Sequence, residues 1–309
     1  MTTIVLSLAP VFLLIVAGYV MKRAEWLPEA FWPGAEKLTY YVLFPALLVE
    51  NTAKAALGDI AVGPVAGALI VPILAVGGLV LLARRLMGTD GPSFTSVFQG
   101  AMRPNTYVGI AGAFALFGGP GLTLTALAIV CCVPTVNVLG VAALLRFAPP
   151  AGGRRLGWRS LILPVLSNPL IVAPLIGVVL NAAGIGSPPV IGPYLDILGK
   201  AALPVGLMAV GAGLDFAAVR SAGRLVAASS AIKLLVLPGL TYAAGRLLGL
   251  DALALSVVVL YATLPVSASS YVLARQMGGN APLMAGIITA TTIGAALTMP
   301  AILALLSQA

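Results

Sequence analysis

Ten stretches of the chain stay apolar for about the length a helix needs to cross a bilayer, roughly 20 residues at 1.5 Å rise each. They lie at 3–21, 33–53, 60–83, 94–117, 121–146, 160–182, 190–214, 224–246, 252–275 and 282–307. Inside hydrocarbon every backbone N–H and C=O must find its partner within the protein, and segments of this length do so as helices. The expectation is an all-α polytopic membrane protein in contact with a lipid bilayer. Charged residues make up only 8% of the chain, against about 25% in a soluble domain. Gly and Pro clusters at 88–92, 118–121, 149–153, 186–189 and 278–282 supply the turns.

The net charge of +8 would suit nucleic acid in a soluble protein, but its placement has another cause. Eleven of the seventeen basic residues lie on one set of alternate connections: Lys22, Arg23, Arg84, Arg85, Arg146, Arg154, Arg155, Arg159, Arg220, Arg224 and Arg275. The opposite set holds Lys54, Lys200 and Arg246. Basic loops stay in the cytoplasm, so both termini are expected outside. Trp26, Trp32 and Trp158 fall on the cytoplasmic side as interfacial anchors, and Lys37 lies near the cytoplasmic start of the second stretch. Met1-Thr2-Thr3 carries no basic residue and the run from Ile4 to Met21 is long enough to span, so no cleavable signal peptide is expected.

Several chemistries are disfavoured. The chain has no histidine, which removes the usual base of a Ser or Cys triad and most zinc sites. Cys131 and Cys132 are neighbours in an apolar helix, point about 100° apart, and read as small core residues. No metal, no cofactor and no enzymatic activity are expected.

The connection at 147–159 divides the stretches into five plus five, 1–146 and 160–309. Five is odd, so the second half enters the membrane from the opposite side, which predicts inverted-topology repeats. Pro10 and Gly18 recur as Pro169 and Gly177 at an offset of 159, and Pro45 as Pro204. Pro104 recurs as Pro265 at 161, and Gly118 as Gly278 at 160.

Within the fourth stretch stand a cation, a helix breaker and an amide: Arg103-Pro104-Asn105. Arg at mid-bilayer costs roughly 2.5–3.5 kcal/mol on insertion scales, so the cluster must face protein or a polar cavity. The ninth stretch carries Leu264-Pro265-Val266-Ser267-Ala268-Ser269-Ser270 at the matching place. Paired breaks in two repeats are the best sequence pointer to a transporter site. If they cross, the helices restarting after Pro104 and Pro265 present their N–H groups and positive dipole ends. Asn105, Ser267 and Ser269 are placed to cap those amides or to contact a substrate. Arg103, and Lys233 on the order of 13 Å deep by helix rise, lack acidic residues in their own stretches away from the ends, which suits an anionic ligand. The plainer readings are that Arg103 bonds the freed carbonyls and that Lys233 snorkels or bonds a carbonyl. Glu50 and Asn51 read as solvated or lining an exit path, Asp196 and Asp215 as end charges, and Asn137 and Asn168 as bonding across helices.

Pro104-Asn105-Thr106-Tyr107-Val108-Gly109-Ile110 resembles the Pro-Asn-Thr crossover of the auxin efflux carrier family, in the bile acid/arsenite/riboflavin transporter-like superfamily. Thr263-Leu264-Pro265-Val266-Ser267-Ala268-Ser269-Ser270-Tyr271-Val272-Leu273-Ala274 is similar to that family's ninth-span Leu-Pro crossover. Phe44-Pro45-Ala46-Leu47-Leu48 resembles its second-span motif, and Lys233 ahead of Pro238 its eighth-span basic residue. The short connection at 147–159 fits bacterial members. The resemblance implies ten transmembrane helices in two inverted five-helix repeats with broken, crossing helices 4 and 9, working as an elevator. It implies a scaffold from 1–53 and 160–214, dimerising, and a moving core from 60–146 and 224–307. The substrate, a small organic anion, would meet Arg103, Pro104, Asn105, Thr106, Tyr107, Pro265, Val266, Ser267 and Ser269, with Leu48 facing it from the scaffold. Lys233 and Glu50 are candidates for a charge or coupling role. Arg103 departs from the plant pattern and points to a smaller or more highly charged anion, such as a dicarboxylate. The alternatives are a sodium-coupled symporter of the bile-acid type, an anion channel or a membrane sensor.

Overall fold

The computed structural model describes residues 2–55, 61–148, 167–221 and 223–306. They form fourteen α-helices in chain order: α1 Thr2–Arg23, α2 Phe31–Leu38, α3 Phe44–Ala53, α4 Val62–Met87, α5 Gly91–Gly100, α6 Thr106–Phe147, α7 Pro169–Ala182, α8 Ile191–Ala212, α9 Phe216–Ser221, α10 Gly223–Ala231, α11 Leu237–Leu247, α12 Ala252–Thr263, α13 Ser269–Met277 and α14 Ala281–Leu306. Among the described residues six helical stretches are long and apolar enough to cross a membrane: α1, α4, α6, α8, the run Gly223–Leu247 and α14. The helices α7 and α12 are apolar but shorter. The chain is thus an all-helical, multi-pass membrane protein. Most of the connection at 147–159, with Arg154, Arg155, Trp158 and Arg159, lies outside the described residues, as does Asp59.

The surface is inverted relative to a soluble protein. Leu82, Leu86 and Leu297 are 82%, 88% and 75% exposed, while Thr95, Ser96 and Gln99 are buried. Leucines point outward because their solvent is hydrocarbon. Polar side chains turn inward because only the protein offers them partners.

Proline shapes the helices in two equivalent ways. Between α2 and α3 the residues Thr39–Leu43 form a π-turn, and Ile232–Val236 form another between α10 and α11. In each case a proline stands two residues on, Pro45 and Pro238. Its ring collides with the carbonyl four residues back and it donates no N–H. The turn widens, and Phe44 N–H reaches Thr39 O while Leu237 N–H reaches Ile232 O, five residues back. Inside α6, Gly118 adopts φ 60, ψ −142, a backbone open to glycine alone. The two apolar stretches expected at 94–117 and 121–146 therefore meet at Gly118 within one helical run.

Two compact units make up the chain. The first comprises Met1–Val62, Tyr107–Val130 and Leu166–Gly213. In it α1 packs on α8, and α3 packs on both α7 and α8. Gly18 lies so close to the Met208 backbone that a Cβ there would fall 2.0 Å from its carbonyl oxygen. A Cβ on Gly177 would fall 2.8 Å from the Val49 oxygen. Asn181 closes the C-terminal end of α3, its amide donating to Ala53 O at 2.9 Å and Ala55 O at 2.7 Å. Asn168 departs from its expected cross-helix role: its side chain accepts from Leu170 N–H at 2.9 Å and caps α7. Glu50 departs from a solvated one. It is 4% exposed, accepts from Ser187 Oγ at 2.8 Å and pairs with Lys54.

The second unit comprises Gly63–Thr106, Cys131–Val165 and Leu214–Ala309. Its hub is α14, which touches α5, α9, α10, α12 and α13. At the start of α14, Asn280 ties two helix ends together. Its N–H donates to Pro92 O and its side chain to Ser93 Oγ at 2.9 Å, while its Oδ1 accepts from Leu283 N–H at 3.0 Å. Asp215 caps α9, accepting from Ala217 and Ala218 N–H, so it is a capping group and more than an end charge.

Candidate functional site: two broken helices that cross

The second unit contains two half-helices of similar length, α5 and α12, and both begin identically. Asp90 and Asp251 are extended N-caps, at φ −65, ψ 166 and φ −63, ψ 167. Each carboxylate accepts from the N–H three residues on, Ser93 at 2.8 Å and Ala254 at 2.9 Å. Both half-helices stop short. After α5, Ala101 and Met102 still bond back, to Val97 O and Gln99 O, and Arg103 N–H reaches Gln99 O at 3.0 Å. Pro104 then offers no donor, and its ring pushes the preceding residue out of the helical region. After α12, Leu264 turns to φ −59, ψ 145 ahead of Pro265, for the same reason.

The two extended segments pair. Pro104 and Val266 form an antiparallel bridge. Asn105 N–H donates to Pro265 O at 2.8 Å, and Ser267 N–H to Arg103 O at 3.4 Å. Each break thus satisfies backbone groups of the other, which bilayer surroundings require. A third amide, Val266 N–H, donates to Thr291 Oγ1 at 3.1 Å. Thr291 itself bonds the Ile287 and Ile288 carbonyls of α14 and is held in place by them.

Helices resume at once. From the first break α6 starts at Thr106, and from the second α13 starts at Ser269. Ser267 Oγ lies 2.9 Å from Ser269 Oγ and accepts weakly from Ser269 N–H at 3.4 Å, while the N-cap position of α13 is Ala268, which makes no side-chain cap bond. Ser269 is exposed and Ser267 half-buried, while Asn105, Thr106, Pro265 and Val266 are buried.

Both cations sit at the end of a half-helix. Arg103, 8% exposed, follows α5; its Nη1 reaches Gln99 Oε1 at 3.5 Å and its Nη2 bonds Asn137 Oδ1. Asn137 therefore bonds between chain segments as expected, with Arg103 as its partner. Lys233, 0% exposed, donates from Nζ to Ala262 O at 2.7 Å, one residue before the end of α12. A helix C-terminus carries about half a negative charge, and a cation there gains about 0.3–1 kcal/mol, more when partly buried.

Of the remaining residues singled out in the sequence, Leu48 and Tyr107 fall in the first unit. Leu48 is fully buried on α3, one turn beyond Phe44, and the Phe44 and Tyr107 rings are 4.5 Å apart. Glu50 lies with them in the first unit, held by Ser187 and Lys54. The second unit therefore brings together Arg103, Pro104, Asn105, Thr106, Pro265, Val266, Ser267 and Ser269, with Lys233 at the α12 end. Thr291 and Gln99 are the partners the sequence reading missed. Thr291 carries no signal, being one of four threonines in an apolar helix. Asp90 and Asp251 did carry one: they stand 161 apart, the offset of Pro104 and Pro265.

Residues 155–303, which hold the second break, match the family described as membrane transport protein. Over that stretch the chain is similar to membrane transporters of that family. It is also 25% identical over 297 residues to an uncharacterized transporter of Methanothermobacter thermautotrophicus, with 94% of each chain covered. The family match agrees with the resemblance to the auxin efflux carriers, and both comparisons point to a transporter rather than an enzyme.

Proposed function

We propose that this transporter is an elevator-type secondary carrier of a small organic anion, a monocarboxylate or dicarboxylate, bound at the crossing of Pro104 and Val266. One observation carries the reading. The paired breaks turn two helix starts, at Thr106 and Ser269, out from a single point in the bilayer-spanning region. Helix starts attract anions through their unspent N–H groups and positive dipole ends. The opposite ends, those of α5 and α12, already have Arg103 and Lys233 against them. The substrate-contacting set within the second unit is Arg103, Pro104, Asn105, Thr106, Pro265, Val266, Ser267 and Ser269.

Further features support ten spans in inverted repeats. The offset of 159 carries Gly18 to Gly177 and Val49 to Met208. In the fold Gly18 touches Met208 and Gly177 touches Val49, the reciprocal pair a two-fold relation requires. Gly118 and Gly278 both take positive φ, 60 and 81. The proposed division takes 1–53 with 160–214 as scaffold and 60–146 with 224–307 as moving core; α1, α3, α7 and α8 do group in one unit, which also takes in Tyr107–Val130 of the proposed core. The proposed setting is a bacterial inner membrane with both termini outside, and a homodimer through the scaffold helices.

The test is uptake of labelled dicarboxylates and monocarboxylates into proteoliposomes, comparing wild type with Asn105→Ala and Arg103→Ala. The reading expects saturable flux that accelerates counterflow and falls at least tenfold in both variants. Non-saturating flux would make the protein a channel, binding without flux a sensor, and strict dependence on sodium the symporter alternative. Unchanged flux in both variants would remove the site assignment.

A further inference from the structure

Three of the chain's arginines stand where two bilayer-crossing helices end. Arg84 and Arg85 lie in the last turn of α4, and Arg146 in the last turn of α6. A basic side chain at the end of a span ordinarily extends its head group into water. Arg84 instead lies against aromatic rings. Its guanidinium carbon is 4.3 Å from the centre of the Phe147 ring and 5.5 Å from that of Phe94. The Arg146 guanidinium carbon is 5.3 Å from the centre of the same Phe147 ring. One ring therefore has two cations beside it, a placement that their mutual repulsion opposes and that an anion between them would favour.

The ring is fixed in place. Phe147 meets the fully buried Phe94 edge-on, with ring centres 5.0 Å apart. The start of α5 comes so close that a Cβ on Gly91 would fall 1.8 Å from the Phe147 carbonyl oxygen, so only glycine fits there. All three arginines stay exposed, and neither ion pair among the described residues includes them. The acid at this end, Asp90, is occupied as the cap of α5, where its Oδ1 accepts from Ser93 N–H at 2.8 Å. On α4, Leu82 and Leu86 lie one turn apart on one face and are 82% and 88% exposed. Cationic donors that are held in place thus border an apolar strip that faces hydrocarbon.

We infer that the ends of α4 and α6 form a site for the phosphate of an anionic glycerophospholipid, clasped by Arg84 and Arg146 beside the Phe147 ring, with an acyl chain along Leu82 and Leu86. A guanidinium presents paired N–H donors that match two phosphate oxygens. Its flat face rests on a ring while the donor edge stays open to a ligand. Basic groups gathered between helix ends at a membrane surface favour anionic headgroups. A zwitterionic headgroup would bring its own ammonium toward three arginines, which selects for a lipid of net negative charge. Free phosphate carries the same oxygens but nothing to cover the leucines. The inference does not rest on the anion-carrier reading: it concerns the surface of the second unit, and its test involves no transport.

The experiment is thermal unfolding of the purified full chain in detergent, with phosphatidylglycerol, phosphatidylcholine or inorganic phosphate added at equal ionic strength. Wild type should gain several degrees from phosphatidylglycerol, with a shift that grows as the logarithm of concentration once binding saturates, and little from the other two. The double variant Arg84→Gln/Arg146→Gln should lose most of that gain. Arg246→Gln, in the last turn of α11, should keep it. An equal response of wild type to the two lipids overturns the proposal, as does a response to phosphate as large as that to phosphatidylglycerol. A double variant that responds like wild type, or an Arg246 variant that loses as much, overturns it too. Native mass spectrometry covers a double variant that fails to fold. From an equal mixture of the two lipids, wild type should retain phosphatidylglycerol in excess, and Arg84→Lys, which keeps the charge without the fork, should retain less of it. Retention without preference in wild type overturns the proposal.

Discussion

The Asn105 N–H donates to the Pro265 carbonyl at 2.8 Å, joining residues 160 apart in the chain. Each belongs to a helix that proline has interrupted, and each supplies what the other interruption removes. The pairing makes the two breaks one structural object, so damage to either should be felt at both.

Thr291 is the simplest place to show this. Its Oγ1 is the acceptor for Val266 N–H, in a fully buried setting. Thr291→Val keeps the shape and removes the acceptor, leaving a buried amide unsatisfied at a cost of about 1–3 kcal/mol. The expected result is a lower unfolding midpoint and reduced anion flux, with Thr291→Ser close to wild type. A Val variant equal to wild type in both measurements would mean that the 264–268 segment is held by other contacts.

How much of this was legible beforehand divides along physical lines. Hydrophobic run length and proline placement are properties of a sequence, so the membrane-spanning class and both breaks could be read directly. That Arg103 and Pro104 would need protein partners followed from the cost of charge and of orphaned carbonyls in hydrocarbon. Which partners was not legible. Thr291, Gln99 and Asn137 are chosen by three-dimensional packing, and nothing local marks them. Glu50 lies near the end of an apolar run, where water or an exit path is the default expectation, while in the fold Ser187 and Lys54 hold it. Asn168 was read as a cross-helix contact because an amide in a membrane segment invites one, while the proline that follows it makes it an N-cap.

The Arg103–Asn137 pair gives a second expectation. Replacing Asn137 by Leu removes an acceptor from a guanidinium that is 8% exposed, while Gln99 Oε1 remains 3.5 Å from its other arm. Hydrogen bonds to charged groups are worth about 1.5–3 kcal/mol, so the variant should lose that order of stability. Asn137→Asp supplies a stronger acceptor and should be more stable than Leu. If Arg103 also contacts the anion, the Asp variant should transport worst, because its carboxylate competes for the same donor. Thermal midpoints and flux, measured together, separate the two effects.

The half-helix caps predict a matched pair of losses. Asp90→Ala and Asp251→Ala each remove one carboxylate acceptor from an N-terminus with nearly the same backbone angles. Each should cost about 0.5–2 kcal/mol, and the Asn variants much less. The two losses should be similar in size. A large inequality would show that one half-helix carries far more of the unit's stability than the other.

Glycine packing in the first unit supplies the last expectation, and it bears on the repeat. Gly18 and Gly211 would place a Cβ 2.0 Å and 1.8 Å from the backbone oxygens of Met208 and Ile15. Neither oxygen can move without moving a helix, so α1 and α8 would have to separate. Gly177 is the counterpart of Gly18, with a Cβ 2.7 Å from Thr52 Cβ and 2.8 Å from Val49 O. Gly34, by contrast, has nothing within 4 Å of the position. Overpacking of a tight contact costs typically about 1–3 kcal/mol. Gly18→Ala, Gly177→Ala and Gly211→Ala should therefore each lower the unfolding midpoint by several degrees, and Gly34→Ala should leave it unchanged or raise it, since Ala favours the helix by about 1 kcal/mol. The proposed inverted repeat adds a sharper condition: Gly18→Ala and Gly177→Ala should be damaging to comparable extents and, being on separate helix pairs, should add when combined. A Gly177 variant as stable as wild type would break the reciprocity between Gly18–Met208 and Gly177–Val49 on which the inverted arrangement of the first unit leans.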